Sequence, residues 1–140
     1  MHRVGTYLAF DYGTRKIGVA VGQTVTLTAN PLNPLLAHQG LPDWNQISKL
    51  IDQWQPVGLI VGIPLNMDGS VQTITKKALV FANELSKRYN MPVHQIDERL
   101  TTVEAKQKLF DLGGYKALKE TSVDSFAAKL MLEAWMRSSG

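Results

Sequence analysis

Short apolar runs dominate this chain, and their period changes as it proceeds. Thr6–Asp11 (TYLAFD) and Ile17–Gly22 (IGVAVG) are apolar at successive positions, as expected of strands covered on both faces. The segment Tyr12–Lys16 between them predicts a hairpin turn. Val25–Ala29 predicts a third strand, stopped by Pro31 and Pro34. The period then lengthens. Asp43 is placed to cap a helix in which Ile47, Leu50, Ile51 and Trp54 recur at helical spacing. Val57–Ile63 is a short apolar strand ending at Pro64, and Leu65–Gly69 is a loop. A long helix follows, with Val71, Ile74, Ala78, Phe81 and Leu85 as its apolar stripe and Lys76, Lys77, Lys87 and Arg88 on the solvated side. Pro92–Ile96 is the next strand and runs straight into Asp97-Glu98-Arg99. Thr101-x-x-Glu104 has the form of a capping box opening a helix to about Leu112, ended by Gly113-Gly114. A lysine-bearing loop, Tyr115–Ser122, leads to a last helix from about Val123. Three antiparallel strands followed by helix–strand–helix–strand and further helices imply one mixed α/β domain over residues 1–140, with helices on the faces of its sheet.

Against that frame of apolar elements, the acids stand out. Charged residues are only 19% of the chain, yet several sit where apolar structure ends. Asp11 terminates the first strand, and Asp97 and Glu98 terminate the last. Alternation sends Asp97 and Glu98 to opposite sides, so one faces a site and the other supports it. Asp124 lies in the first turn of the last helix, in a row with the apolar Ala128, Met131 and Trp135. Two readings stand for it: a helix cap favoured by the dipole, or an inward carboxylate. Crowded carboxylates repel, and burial raises their pKa values. A divalent cation resolves both problems. Oxygen donors suit Mg²⁺ or Mn²⁺, and two such ions support phosphodiester cleavage.

Composition narrows the chemistry further. The chain has no cysteine, which excludes disulfides, a thiolate nucleophile and thiolate-bound metals. His2, His38 and His94 show no metal-ligand spacing. The formal charge of +3 is a mild basic signal. If Asp11, Asp97, Glu98 and Asp124 share one site, eight other acids face fifteen bases, and the remaining surface suits a polyanion. No apolar run approaches the ~20 residues of a membrane helix. The N-terminus lacks a signal-peptide layout, so a cytoplasmic protein without membrane partners is expected.

Several stretches, in their order, resemble a known family: FDYGTRKIGVAVG, VGIPLNMDGS, DERLTTVEA, the LGGYK loop and VDSFAA. The chain is similar throughout to the bacterial YqgF/RuvX group, described as Holliday-junction resolvases or pre-16S rRNA nucleases. The resemblance implies an RNase H-like fold related to RuvC, with a mixed five-stranded sheet and helices on both faces. It implies an acidic site carried by Asp11, Glu98 and Asp124, which would bind the metal. It further implies a metal-dependent endonuclease processing the 5′ end of pre-16S rRNA in ribosome biogenesis. The alternatives are a resolvase acting on branched DNA, or a non-catalytic nucleic-acid-binding factor in transcription. A nucleotide phosphotransferase of the actin-like type also begins with DxGT, but needs two such domains, and this chain has room for one. Gly13 would permit close backbone approach behind Asp11. Thr14, Arg15 and Lys16 would meet phosphate oxygens, with solvation of a hairpin tip as the alternative for Arg15 and Lys16. Arg99 holds a phosphate or pairs with Asp97 or Glu98, and Thr101 and Thr102 cap a helix. Gly62, Pro64 and Asn66 shape a loop where α/β proteins bind ligands. Lys116 and Lys119 belong either to a flap over nucleic acid or to a solvated connector. The expected assembly is a monomer or weak homodimer.

Overall fold

The computed structural model of the protein describes residues 2–97 and 123–138. Its strands are β1 (Thr6–Asp11), β2 (Lys16–Gln23), β3 (Thr28–His38), β4 (Leu41–Pro42), β5 (Gly58–Ile63) and β6 (Val93–Asp97). The described helices are α1 (Trp44–Trp54), α2 (Thr73–Tyr89) and α3 (Val123–Arg137). One six-stranded sheet has the order β4-β3-β2-β1-β5-β6. β1 to β4 pair antiparallel, whereas β5 lies parallel to both β1 and β6. The carboxyl ends of β1, β5 and β6 therefore share one edge of the sheet, with Asp11 opposite Gly62 and Gly62 opposite Ile96.

Strand alternation divides the core into two layers. Leu8, Phe10, Val19, Leu59 and Val61 face α1 and α2, meeting Ile47, Ala78, Phe81 and Leu85. Burial of each large side chain there stabilises the fold by roughly 1.5–3 kcal/mol. Tyr7, Ala9, Ala20 and Ile60 face α3, against Ala128, Met131, Leu132 and Met136. Helices thus cover both faces, as expected. α1 starts where Asp43 Oδ1 accepts the Asn45 N–H at 3.0 Å. α2 starts at Thr73, so Val71 stands outside the helix in an isolated bridge with Leu65, and it is exposed.

Two further expectations are corrected. Among the described residues the sheet has six strands rather than five, because Gln39 and Gly40 both take positive φ (51° and 85°). That is the two-residue hairpin loop whose twist matches the flanking strands, and it folds Leu41–Pro42 back onto Ala37–His38. The third strand runs from Thr28 to His38, not Val25 to Ala29, and Pro31 and Pro34 do not stop it. Val25 instead lies in the β2–β3 turn, where the Leu27 N–H donates to the Gln23 carbonyl at 2.9 Å. Pro31 is tolerated because β3 is an edge strand along most of its length. Ala29, two residues earlier and pointing the same way, sends its N–H away from β2 to Glu133 Oε2 at 3.1 Å. Pro31 occupies the next outward position, where no ladder donor is needed. Pro34 falls in a bulge, since β3 spends three steps from Leu32 to Leu35 while β2 spends two from Val19 to Ile17.

Candidate active site

Asp11 ends β1 and is 9% exposed. Its neighbours across the ladder are glycines on both sides, Gly18 on β2 and Gly62 on β5. Directly opposed residues share a face, and Asp11 alternates in step with Tyr7 and Ala9, so it projects to the α3 side. The first turn of α3 sits there. A Cβ built on Gly18 would overlap the backbone carbonyl of Asp124 and lie 2.6 Å from the Ser125 nitrogen. Only a residue without a side chain lets the helix approach so closely. Gly18 therefore brings the start of α3 against the strand directly beside Asp11.

Ser125 fixes this approach. It is fully buried, and its Oγ accepts the Val19 N–H at 3.1 Å, where the β2–β3 register shifts. Asp124, one residue earlier, is half-buried. Burial raises its carboxyl above the ordinary aspartate value, and the nearby Lys16 charge offsets part of that rise. Lys16 is itself exposed at the start of β2. The row read from the sequence holds: Ala128 and Met131 are buried and Trp135 packs beside them.

The turn after Asp11 is held through its backbone. The Thr14 carbonyl accepts the Gly40 N–H at 2.9 Å, and the Arg15 carbonyl accepts the Ala37 N–H at 2.8 Å. A Cβ on Gly13 would collide with the Lys16 carbonyl. The loop after β5 is closed on itself. Asn66 N–H donates to the Ser70 carbonyl at 3.0 Å, and the Asn66 side chain donates to Ser70 Oγ at 2.8 Å. Thr75 Oγ1 donates to the Pro64 carbonyl and ties this loop to α2.

Asp97 is paired with Ile63, and Ile63 belongs to the layer under α1 and α2. Its side chain is on the opposite face from Asp11 and is exposed. Glu98, Arg99, Lys116 and Lys119 lie outside the described residues, as do Thr101, Thr102 and the expected helix to Leu112. Among the described residues no three metal-ligating side chains converge. The described residues do bring Asp11, Asp124, Lys16 and the Gly13–Thr14 turn together at one sheet end. Sequence reasoning missed Gly18 and Ser125. Gly18 carried a readable signal, since a glycine inside an apolar strand marks a close backbone approach.

Two hard oxygen donors, with neither histidine nor cysteine beside them, are suited to a divalent cation rather than a soft metal. The architecture is that of an RNase H-like α/β protein. It superposes on Thermus thermophilus RuvC solved with a Holliday junction substrate, with a TM-score of 0.57 at 16% identity, covering 94% of this chain and 96% of that one. Residues 5–138 match the family described as "RuvX: Holliday junction resolvase", and the chain belongs to that family. A relative from Actinobacillus pleuropneumoniae serotype 5b is 56% identical over 133 residues, covering 95% of this chain and 97% of its own. A relative from Klebsiella pneumoniae is 53% identical over 135 residues, 96% and 98% of the two chains. Both carry the name "Putative pre-16S rRNA nuclease". No described helix is long and apolar enough to cross a membrane.

Proposed function

We infer that the protein is a nuclease, a hydrolase of phosphodiester bonds in structured nucleic acid, with the 5′ end of pre-16S rRNA as its substrate. The observation that carries this reading is the seating of Asp124 against Gly18, directly beside Asp11. That juxtaposition has a cost in an apoprotein, because burial already disfavours the Asp124 charge. Catalysis gives a reason for keeping it. Asp11 and Asp124 would hold Mg²⁺ or Mn²⁺, with Glu98 completing the set on the family resemblance. When bound, such ions activate water and stabilise the leaving oxygen of a phosphodiester. The position of Asp97 on the far face supports the choice of Glu98, the next residue, as the third ligand. Lys16 stands beside Asp124, where a phosphate would need a counter-charge. Arg99, Thr14, Lys116 and Lys119 remain our candidates for further substrate contacts.

The choice of rRNA follows the names of the relatives. The family's own description favours a second substrate, the four-way DNA junction. The test offers both to the purified protein with Mg²⁺ or Mn²⁺, alongside Asp11→Asn. The expected result is metal-dependent cleavage of the precursor RNA, abolished by Asp11→Asn with the fold retained. Cleavage of the junction alone would move the assignment to recombination. Undiminished activity in Asp11→Asn would remove Asp11 from the site. Tight binding without cleavage of either would make the protein a non-catalytic binder.

A further inference from the structure

On the face of the sheet opposite Asp11, a cleft of about 500 Å³ opens between the β3–β4 hairpin and α2. Its size is that of a small-ligand site. Val80 and Leu41 give it apolar walls, the buried Phe81 lies beneath them, and Lys76 and Lys77 stand on its α2 side. Val80 and Leu41 are 64% and 70% exposed, so the apolar surface is open to an occupant. Arg88 is already engaged, over the Trp44 ring at 4.2 Å and with Glu84 at 3.0 Å. The uncommitted charge of the described wall is therefore that of the two lysines.

The cleft is joined to the acidic site through Tyr12 and Gly40. Tyr12 follows Asp11 directly and turns its ring the other way, into the cleft wall. Its hydroxyl donates to the Gly40 carbonyl at 2.6 Å, while the Gly40 N–H donates to Thr14 in the turn behind Asp11. A Cβ on Gly40 would lie 2.6 Å from that hydroxyl and 3.6 Å from the Lys77 stem. One glycine thus ties together the turn, the cleft floor and a lysine. Arg15 and Lys16 are both exposed on that turn, and the Lys16 charge is near Asp124.

We propose that this cleft is an accessory site for an unpaired nucleotide of the same nucleic-acid strand that is cut at the carboxylates. The base lies against the exposed Val80 and Leu41, and the flanking phosphates meet Lys76 and Lys77. An apolar pocket with two cations at its rim matches one nucleotide of a single strand, which presents a flat ring and a charged backbone together. A regular duplex keeps its bases stacked and offers the cleft only phosphate. The enzyme would accordingly prefer substrates with a single-stranded segment beside the scissile bond. The occupant's chemistry rests on the nucleic-acid reading above, but binding here needs neither metal nor cleavage.

The test is a titration in chelator with a fluorescent oligouridylate of about eight nucleotides, and separately with a blunt RNA duplex. Wild type is compared with the double variant Lys76→Ala/Lys77→Ala and with Val80→Glu, all at exposed positions that leave the core intact. Loss of two phosphate contacts should flatten the single-strand salt slope by about 1.4 and weaken binding about 25-fold near 0.1 M salt. Duplex binding should change far less, and the tryptophan emission change caused by the oligouridylate should move to about 25-fold higher concentration in the double variant. Equal affinity of wild type and double variant for the oligouridylate would overturn the proposal. Equal losses for duplex and single strand would also overturn it, reducing the lysines to a general basic surface. A tryptophan emission response to an acidic peptide of alternating Glu and Leu, with none to the oligouridylate, would replace the nucleotide with a protein partner. Because no step of this titration requires hydrolysis, a protein that fails to cleave can still pass it, and a proven nuclease can still fail it.

Discussion

Gly18→Ala is a one-carbon change that should disable the enzyme from a residue with no chemistry of its own. The added methyl would overlap the Asp124 carbonyl and stand 2.6 Å from the Ser125 nitrogen, whereas comfortable contact needs about 3.5–4.0 Å. The obstacle is helix backbone, which cannot swing aside, so the start of α3 must retreat by roughly 1 Å. Overpacking of this kind costs about 1–3 kcal/mol. The same retreat stretches the Ser125 Oγ to Val19 N–H bond from 3.1 Å past the useful range, and leaving that buried donor unpaired adds about 1–3 kcal/mol. The total, roughly 2–6 kcal/mol, is a large share of a typical stability of about 5–15 kcal/mol. Urea unfolding reads this as a lower midpoint. Where the variant is still folded, a misplacement near 1 Å should slow cleavage by about a hundredfold. Ser125→Ala is the control, because it removes the bond without pushing the helix. It should lose about 1–3 kcal/mol with a smaller loss of rate. A Gly18→Ala protein with the wild-type urea midpoint and rate would refute the close seating of α3.

Asp124→Asn should abolish metal-dependent cleavage. Without metal it should be as stable as wild type or more so near neutral pH. The folded Asp124 carboxyl has its pKa raised above 3.8, chiefly by burial. Its contribution to stability is therefore present below that ordinary value and lost as pH rises through the raised one. The stability gap between variant and wild type should widen over that window, and a constant gap across pH would contradict it. Glu98→Gln should lose far more activity than Asp97→Asn, and the reverse ranking in a single-turnover assay would move the ligand to Asp97. Mg²⁺ or Mn²⁺ should raise the melting temperature of wild type much more than that of Asp11→Asn. Equal shifts in a thermal scan would place the metal elsewhere.

How much of this was legible in the sequence depended on whether the signal was local. Strands β1, β2, β5 and β6 and the Asp43 cap were legible because apolar runs and a capping aspartate act through near neighbours. The pairing of Asp11 with the start of α3 was accessible only through the family resemblance, since 113 positions of sequence separate Asp11 from Asp124. Periodicity cannot report a contact over that distance. β3 was misread because its prolines look like terminators until the strand is known to lie at an edge. That position is a property of the whole sheet. β4 escaped because Gln39-Gly40 is a weaker hairpin signal than Asn-Gly or Asp-Gly, and a two-residue strand has no period to detect. Ser125 passed unnoticed because a lone serine at a helix start reads as one more capping group.

The outer margin of β3 has a consequence for how this protein behaves at high concentration. An unpaired strand edge is a template on which another chain can add itself, and it is a common route to aggregation. Here the outward donor at Ala29 is already taken by Glu133. The next outward position, Pro31, has no donor to offer, and the bulge around Pro34 bends the remainder out of register. A stray strand approaching this side would find a carboxylate, a gap and a kink where it needs a straight row of amides. The prolines that hid β3 from sequence reading thus help make its edge a poor template for growth by an extended sheet.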